Sequence, residues 1–228
     1  AAGCSAASPA PPAAPAPHPT TPVPAANPWA GADVIKKSFE WTYWRFEDRT
    51  WTWSVEIPTE LYEHYRTMPR PQTSDYVMYA ADDGDEAIIT DLAQTLSAQA
   101  DELGLEPYEK VHFIAAFVQK LAFTLDVDTT GFDDYARYPI ETLVEEGGDC
   151  EDTAILLGKI MSALDYDVVL VRFPAHIALG VLEDAKYSGT YFPYDGKKYF
   201  YLETTGEAGR LGIVPPETEL SPVNPYLD

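Results

Sequence analysis

The sequence predicts an α+β fold: a cysteine-bearing helix packed on an antiparallel sheet, with a β-hairpin and two helices ahead of it. Three observations lead there. Apolar residues recur at helical spacing in mid-chain, at Ile88, Ile89, Leu92 and Leu96 and again at Val111, Ile114, Ala115 and Val118. Strand-like runs crowd the last third, near 167–173, 176–182 and 197–203. Helices first and an antiparallel meander last give α+β order rather than alternating βα units.

The amino-terminal segment stands apart. Residues 1–32 contain no Lys, Arg, Asp or Glu, and nine of the chain's 20 prolines fall there. Such a segment cannot bury enough apolar surface to offset its ordering entropy, and its prolines hold it extended. It is expected to be a disordered stalk, with the folded unit over 33–228. The stalk opens Ala1-Ala2-Gly3-Cys4-Ser5. Small residues ahead of a cysteine resemble the lipobox of prokaryotic lipoproteins. That resemblance implies lipidation at Cys4 and an extracytoplasmic, lipid-anchored place on a prokaryotic cell surface. The alternative is an incidental cysteine.

Phe39, Trp41 and Tyr43, then Trp51, Trp53, Val55 and Ile57, alternate at period two around Glu47-Asp48-Arg49. This is a β-hairpin with an aromatic face, the heart of an extension over about 33–82. Such a face packs as core or grips a sugar or peptide, and core packing is expected. A short helix over Glu60–Met68 stops at Pro69-Arg70-Pro71. A longer one over Asp85–Leu103 closes at Gly104, and the next begins near Pro107.

Charge and cysteine count narrow the function. With 15 basic against 37 acidic residues, the formal charge is −22. That excludes a nucleic-acid backbone or an anionic lipid surface as the main partner, so membrane contact would come only through the lipid anchor. Cys4 and Cys150 are the only cysteines. A disulfide scaffold and a Cys-rich zinc site are therefore excluded.

Cys150 follows Gly147-Gly148-Asp149 and opens a helix expected over 150–164. Its apolar stripe at Ala154, Leu157, Met161 and Leu164 steps back onto Cys150. A thiol in a first helical turn gains from the macrodipole, which favours the thiolate. The two glycines are expected to let the backbone turn sharply. A nucleophilic cysteine needs a base, and His176 opens the run His176-Ile177-Ala178-Leu179-Gly180-Val181-Leu182. Ala178 and Gly180 share its face and leave room for a substrate or a helix end. If Leu182 lies opposite Lys197 in an antiparallel pair, His176 faces Glu203 on one side of the sheet.

The order Cys150, His176, Glu203 resembles the transglutaminase-like superfamily. Pro139-x-Glu141-Thr142-Leu143 followed by Gly148-Asp149-Cys150-Glu151-Asp152 is similar to the hallmark of its bacterial cysteine proteinases, the LapG type. The resemblance covers roughly 107–205. It implies a papain/transglutaminase-like core, Cys150 as nucleophile, His176 as base and Glu203 as orienting acid, where that family usually has Asp. It also implies calcium bound through Asp149 and Glu151, although Asp149 is equally a good N-cap without a metal; no other cofactor is required. The implied activity is acyl transfer on a protein or peptide substrate. Release by water makes a protease or amidase, and release by an amine makes a crosslinking transglutaminase. A non-catalytic surface-binding module that uses the aromatic hairpin, or a cation-binding envelope protein, are the other readings. Oligomeric state is left open.

Overall fold

The computed structural model describes residues 33–70, 75–182, 187–206, 209–216 and 218. The stalk and the expected lipidation at Cys4 lie outside the described residues. The fold is α+β.

Strands β1 (Val34–Thr42) and β2 (Thr50–Pro58) form an antiparallel hairpin that pairs Phe39 with Trp53 and Trp41 with Trp51. These four rings are buried. They meet helix α4 (Pro107–Gln119) edge-on: Trp41 lies 5.2 Å from Phe117, and Trp51 lies 5.1 Å from Phe113. Burying each such ring contributes about 1.5–3 kcal/mol. The stripe is therefore core, as the alternation suggests, and is not a free contact face. Helices α1 (Thr59–Thr67), α2 (Val77–Ala81) and α3 (Glu86–Glu102) follow. Pro107 opens α4 at a position where its missing N–H costs nothing.

Past α4 the chain forms β3 (Ala122–Phe123), a one-turn helix α5 (Asp126–Thr129) and α6 (Pro139–Glu145). Glu146 then adopts a left-handed conformation, with φ 58°. β4 (Gly147–Gly148) pairs in parallel with β3 and leads into α7 (Cys150–Ser162). A single apolar stripe understates this helix. From Glu151 to Gly158 every residue is buried, as are Ile160 and Met161. It packs against α2, α3, α4, α6 and the sheet, and apolar character all round is what a central helix requires.

The sheet holds β5 (Val168–Phe173), β6 (His176–Leu182), β7 (Tyr191–Tyr194) and β8 (Lys197–Leu202) in the order β5-β6-β8-β7. The three expected strands lie side by side in the expected order, and β7 is an addition at the outer edge. Asp195 and Gly196 both have positive φ, 45° and 74°, which suits a two-residue hairpin turn. The chain lays β7 at the outer edge, and the turn brings β8 back beside β6. The register is corrected: Leu182 pairs with Tyr199, not Lys197, and Leu179 pairs with Leu202. A slip of two residues keeps every side chain on its expected face, because the pleat repeats every two.

The two faces differ in what covers them. Leu170 and Leu179 approach Gly158 of α7. On the other face Val169, Val171, Phe173, Ala178, Tyr199 and Tyr201 form a separate cluster. Gly180 belongs to that second face, where a Cβ would stand 2.9 Å from Val169 Cγ2 and 3.0 Å from Tyr199 Cβ. The small residues therefore make room for side chains of neighbouring strands, not for a substrate or a helix end.

Candidate active site

Cys150 is the first residue of α7 and is partly buried. Gly147 and Gly148 hold its approach, for a reason other than the expected turn. Neither has a positive φ. A Cβ on Gly147 would stand 2.5 Å from the Ala122 carbonyl oxygen, and one on Gly148 would stand 2.5 Å from Asp152 Cβ. The glycines serve close packing. Gly148→Ala is expected to cost roughly 1–3 kcal/mol by overpacking and to displace the start of α7. Urea unfolding and the alkylation rate of Cys150 read the two effects, and an unperturbed variant would show that the helix start can yield.

His176 opens β6, and Glu203 follows the last residue of β8. Their side chains meet, with Nε2 2.9 Å from Oε2. The carboxylate is heavily supplied with donors. Tyr201 Oη donates to Oε2 at 2.5 Å. Thr204 N, Thr205 N and Thr205 Oγ1 donate to Oε1 at 3.0, 3.0 and 2.8 Å. Burial opposes its ionisation, but the bonds from His176 and Tyr201 outweigh that and hold the group at about 2. An ionised carboxylate only accepts, so the His176 Nε2 carries the proton. In the neutral imidazole Nδ1 is then the acceptor. A cleft of about 450 Å³ opens here, lined by Phe173, Pro174, Ala175, His176, Glu203 and Thr205 among others.

Two contacts place Cys150 at this same end of the sheet. The Ile177 backbone N–H, next along from His176, favours the Cys150 thiolate. Thr153 Oγ1 on α7 lies 2.9 Å from Thr204 Oγ1, directly after Glu203. The thiol does not gain the low pKa expected from a helix start. Burial pushes it up, and Glu151 and Asp149 push it further. Cys150 Sγ donates to Glu151 Oε2 at 3.2 Å. The macrodipole, worth about 0.3–1 kcal/mol, is outweighed.

Asp149 is the N-cap of α7, and its N–H donates to Asp152 Oδ2 at 3.2 Å in a capping box. Asp149 Oδ1 is buried and has no hydrogen-bond partner among the described residues. Burial and the neighbouring Glu151 raise Asp149 to about 8, and burial also raises Glu151. Carboxylate oxygens of Asp126, Asp134 and Glu151, and of Asp126, Asp149 and Asp152, lie within 4.8 Å of one another.

Arg137 offsets part of this charge, and the sequence reasoning missed it. It is fully buried. Its Nη1 donates to Asp126 Oδ1 and Asp152 Oδ2, both at 2.6 Å, and its Nε to Glu145 Oε2 at 2.9 Å. Its Nη2 donates to Thr129 Oγ1 at 2.6 Å, and its backbone N–H to Asp152 Oδ1 at 2.6 Å. One signal was available: Arg137 is the only basic residue between Asp126 and Asp152. Tyr201 also escaped notice, although it stands two residues before Glu203 and the period-two pleat sets both on one face of the sheet.

No protein-family model matches the chain, and no curated protein does. Among solved structures, the chain is similar to LapG of Legionella pneumophila at 15% identity over 70% of this chain and 79% of that one, with a TM-score of 0.41. The calcium-bound form of that protein gives 15% identity, the same coverages and a TM-score of 0.38. A structure described as a TGase gives 15% identity over 69% of this chain and 42% of that one, with a TM-score of 0.39.

Proposed function

We propose that this chain is a cysteine-dependent acyl-transfer enzyme, a peptidase or amidase that acts through Cys150, His176 and Glu203. The observation that carries the reading is the His176–Glu203 pair, with a five-donor carboxylate, at the sheet end where Cys150 opens α7. Glu203 keeps the proton on Nε2. Nδ1 takes the thiol proton as sulfur attacks the amide carbonyl carbon. When the tetrahedral adduct collapses, the C–N bond breaks and the departing amine takes that proton from Nδ1. Water then gives a proton to Nδ1, attacks the thioester carbonyl, and the C–S bond breaks to restore the thiol.

The acidic cluster fits a hard cation. It offers a buried, unpartnered Asp149 oxygen and carboxylates from Glu151, Asp126 and Asp134 within mutual reach, and calcium accepts such irregular oxygen sets. Bound there, the ion would supply positive charge against the carboxylates that disfavour the thiolate. The chain's own residues do the rest: the capping box fixes the helix start, and Ile177 N–H favours the thiolate. A place outside the cytoplasm on a lipid tether rests on the sequence of residues 1–32. No described helix is long and apolar enough to cross a membrane.

Labelled casein tests the reading. Wild-type protein should release peptides and Cys150→Ser none, with a Cys150 thioester recoverable on acid quench. Incorporation of a primary amine in place of cleavage would make the enzyme a transamidase. Absence of any acyl-enzyme would end the proposal. Iodoacetamide labelling of Cys150 should speed up at least tenfold in millimolar calcium, with a calorimetric binding heat that EGTA removes. If neither is seen, Asp149 and Glu151 are helix-start residues only.

A further inference from the structure

Four large apolar side chains stand in solvent within ten residues: Phe123 at 60% exposure, Leu125 at 49%, Val127 at 55% and Phe132 at 63%. Single exposed apolar residues are ordinary, but a run of them asks for a partner. Their backbone is pinned. Thr124 N–H donates to the Gly148 carbonyl at 3.0 Å, and Phe123 pairs with Gly148, two residues before Cys150. Thr129 Oγ1 donates to the Leu125 carbonyl at 3.1 Å and receives the Arg137 guanidinium. Asp126, in the middle of the run, reaches the carboxylate cluster at the start of α7. Apolar groups are thus held out on a rigid lip beside the nucleophile.

The charge around the lip selects its occupant. Asp128, Asp133 and Asp134 are exposed along it, and no Lys or Arg occurs between Leu121 and Tyr135. A second copy of this chain would bring its own formal charge of −22, and anionic lipid would be repelled in the same way. An extended peptide with large apolar side chains flanked by lysine or arginine meets both features.

We propose that Phe123, Leu125, Val127 and Phe132 form the docking lip for an apolar, lysine- or arginine-flanked stretch of the polypeptide substrate. This inference rests on the acyl-transfer reading for its context. It assigns the lip to substrate binding, with Asp128 and Asp133 as charge partners. Side chains that hold the substrate equally in ground and transition states raise KM on removal and leave kcat unchanged.

Binding can be measured apart from catalysis, with the full chain carrying Cys150→Ala. The probes are three fluorescent twelve-residue peptides: one with Phe and Leu flanked by Lys, one with Ser for the apolar residues, and one with Glu for Lys. The first should bind at least tenfold more tightly than the others, and its affinity should fall as salt rises. Phe123→Ser/Phe132→Ser should remove that preference, with melting temperature unchanged and, on the wild-type cysteine, an unchanged alkylation rate. If that pair fails to fold, Leu125→Ser/Val127→Ser takes its place. Equal binding of the three peptides, no binding of any, or no change in the lip variants would overturn the lip. So would a dimer, or phosphatidylcholine-vesicle binding, lost in the same variants. Preferential binding without cleavage by wild-type protein would instead count against the acyl-transfer reading. Cleavage at an unchanged KM in the lip variants would count against the lip alone.

Discussion

Arg137→Met is expected to cost roughly 3–5 kcal/mol, the usual consequence of removing one partner from a buried ion pair. Methionine roughly fills the volume, so the loss is not a cavity effect. Asp126 and Asp152 would each lose a 2.6 Å charged partner in a site closed to water. Burial already raises Asp152 to about 7 against the pull of Arg137. Without the guanidinium both acids must take up protons or the segment must open. Arg137→Lys should recover only part of the loss, because one ammonium cannot match a planar fork aimed at four side chains. Urea unfolding at neutral pH measures both variants. A methionine variant within about 1 kcal/mol of wild type, the scale of an ordinary surface ion pair, would mean that these acids find other partners.

His176→Ala is expected to lower acyl transfer by about 10²–10⁴-fold, the usual contribution of a positioned general base. Its side chain is partly exposed, so stability should change little. Glu203→Gln keeps the shape and removes the charge, and should also slow the reaction by orders of magnitude. It carries a separate acid signature. The folded carboxyl sits at about 2, below its ordinary 4.5. A depressed acid stabilises the fold above the unfolded value, and that contribution drains away as pH falls from 4.5 through 2. A shift of this size is worth about 3 kcal/mol. Acid titration of the unfolding free energy should therefore show a flatter limb below pH 4.5 in Glu203→Gln than in wild type. Parallel limbs would show that Tyr201 and the threonine donors hold the group without consequence for folding.

How much of this was legible depends on the range of the interaction involved. The start of α7 was readable because Asp149 caps it and an apolar stripe follows, both local properties. The pairing of β6 with β8 was readable to within two residues, and the period-two pleat forgave the slip. β7 was missed although Asp195-Gly196 is a strong hairpin signal, because a four-residue run with a proline inside it is a weak strand pattern. α6 went unnoticed as an element inside a motif read for chemistry. The thiol's direction was misjudged because a macrodipole is visible in sequence, while burial and the approach of Glu151 and Asp149 are not. Arg137 shows the limit most clearly. Its neighbours Tyr138 and Pro139 suggest nothing, and its partners come from three separate helices, α5, α6 and α7.

Pro193 has a further consequence, for how molecules of this chain meet one another in concentrated solution. β7 is an edge strand, and an edge strand is a template for another molecule's backbone. Tyr194 and Lys197 flank the two-residue turn and so form a hydrogen-bonded pair, and ladder bonds alternate along an antiparallel pair. At residue 193 the backbone donor would therefore point away from β8, toward solvent. Proline has no donor there. The sequence Tyr191-Phe192-Pro193-Tyr194 is aromatic enough to recruit a foreign strand, yet it cannot offer a continuous row of N–H groups. Together with the formal charge of −22, that gap protects this side of the sheet from fibril-type stacking.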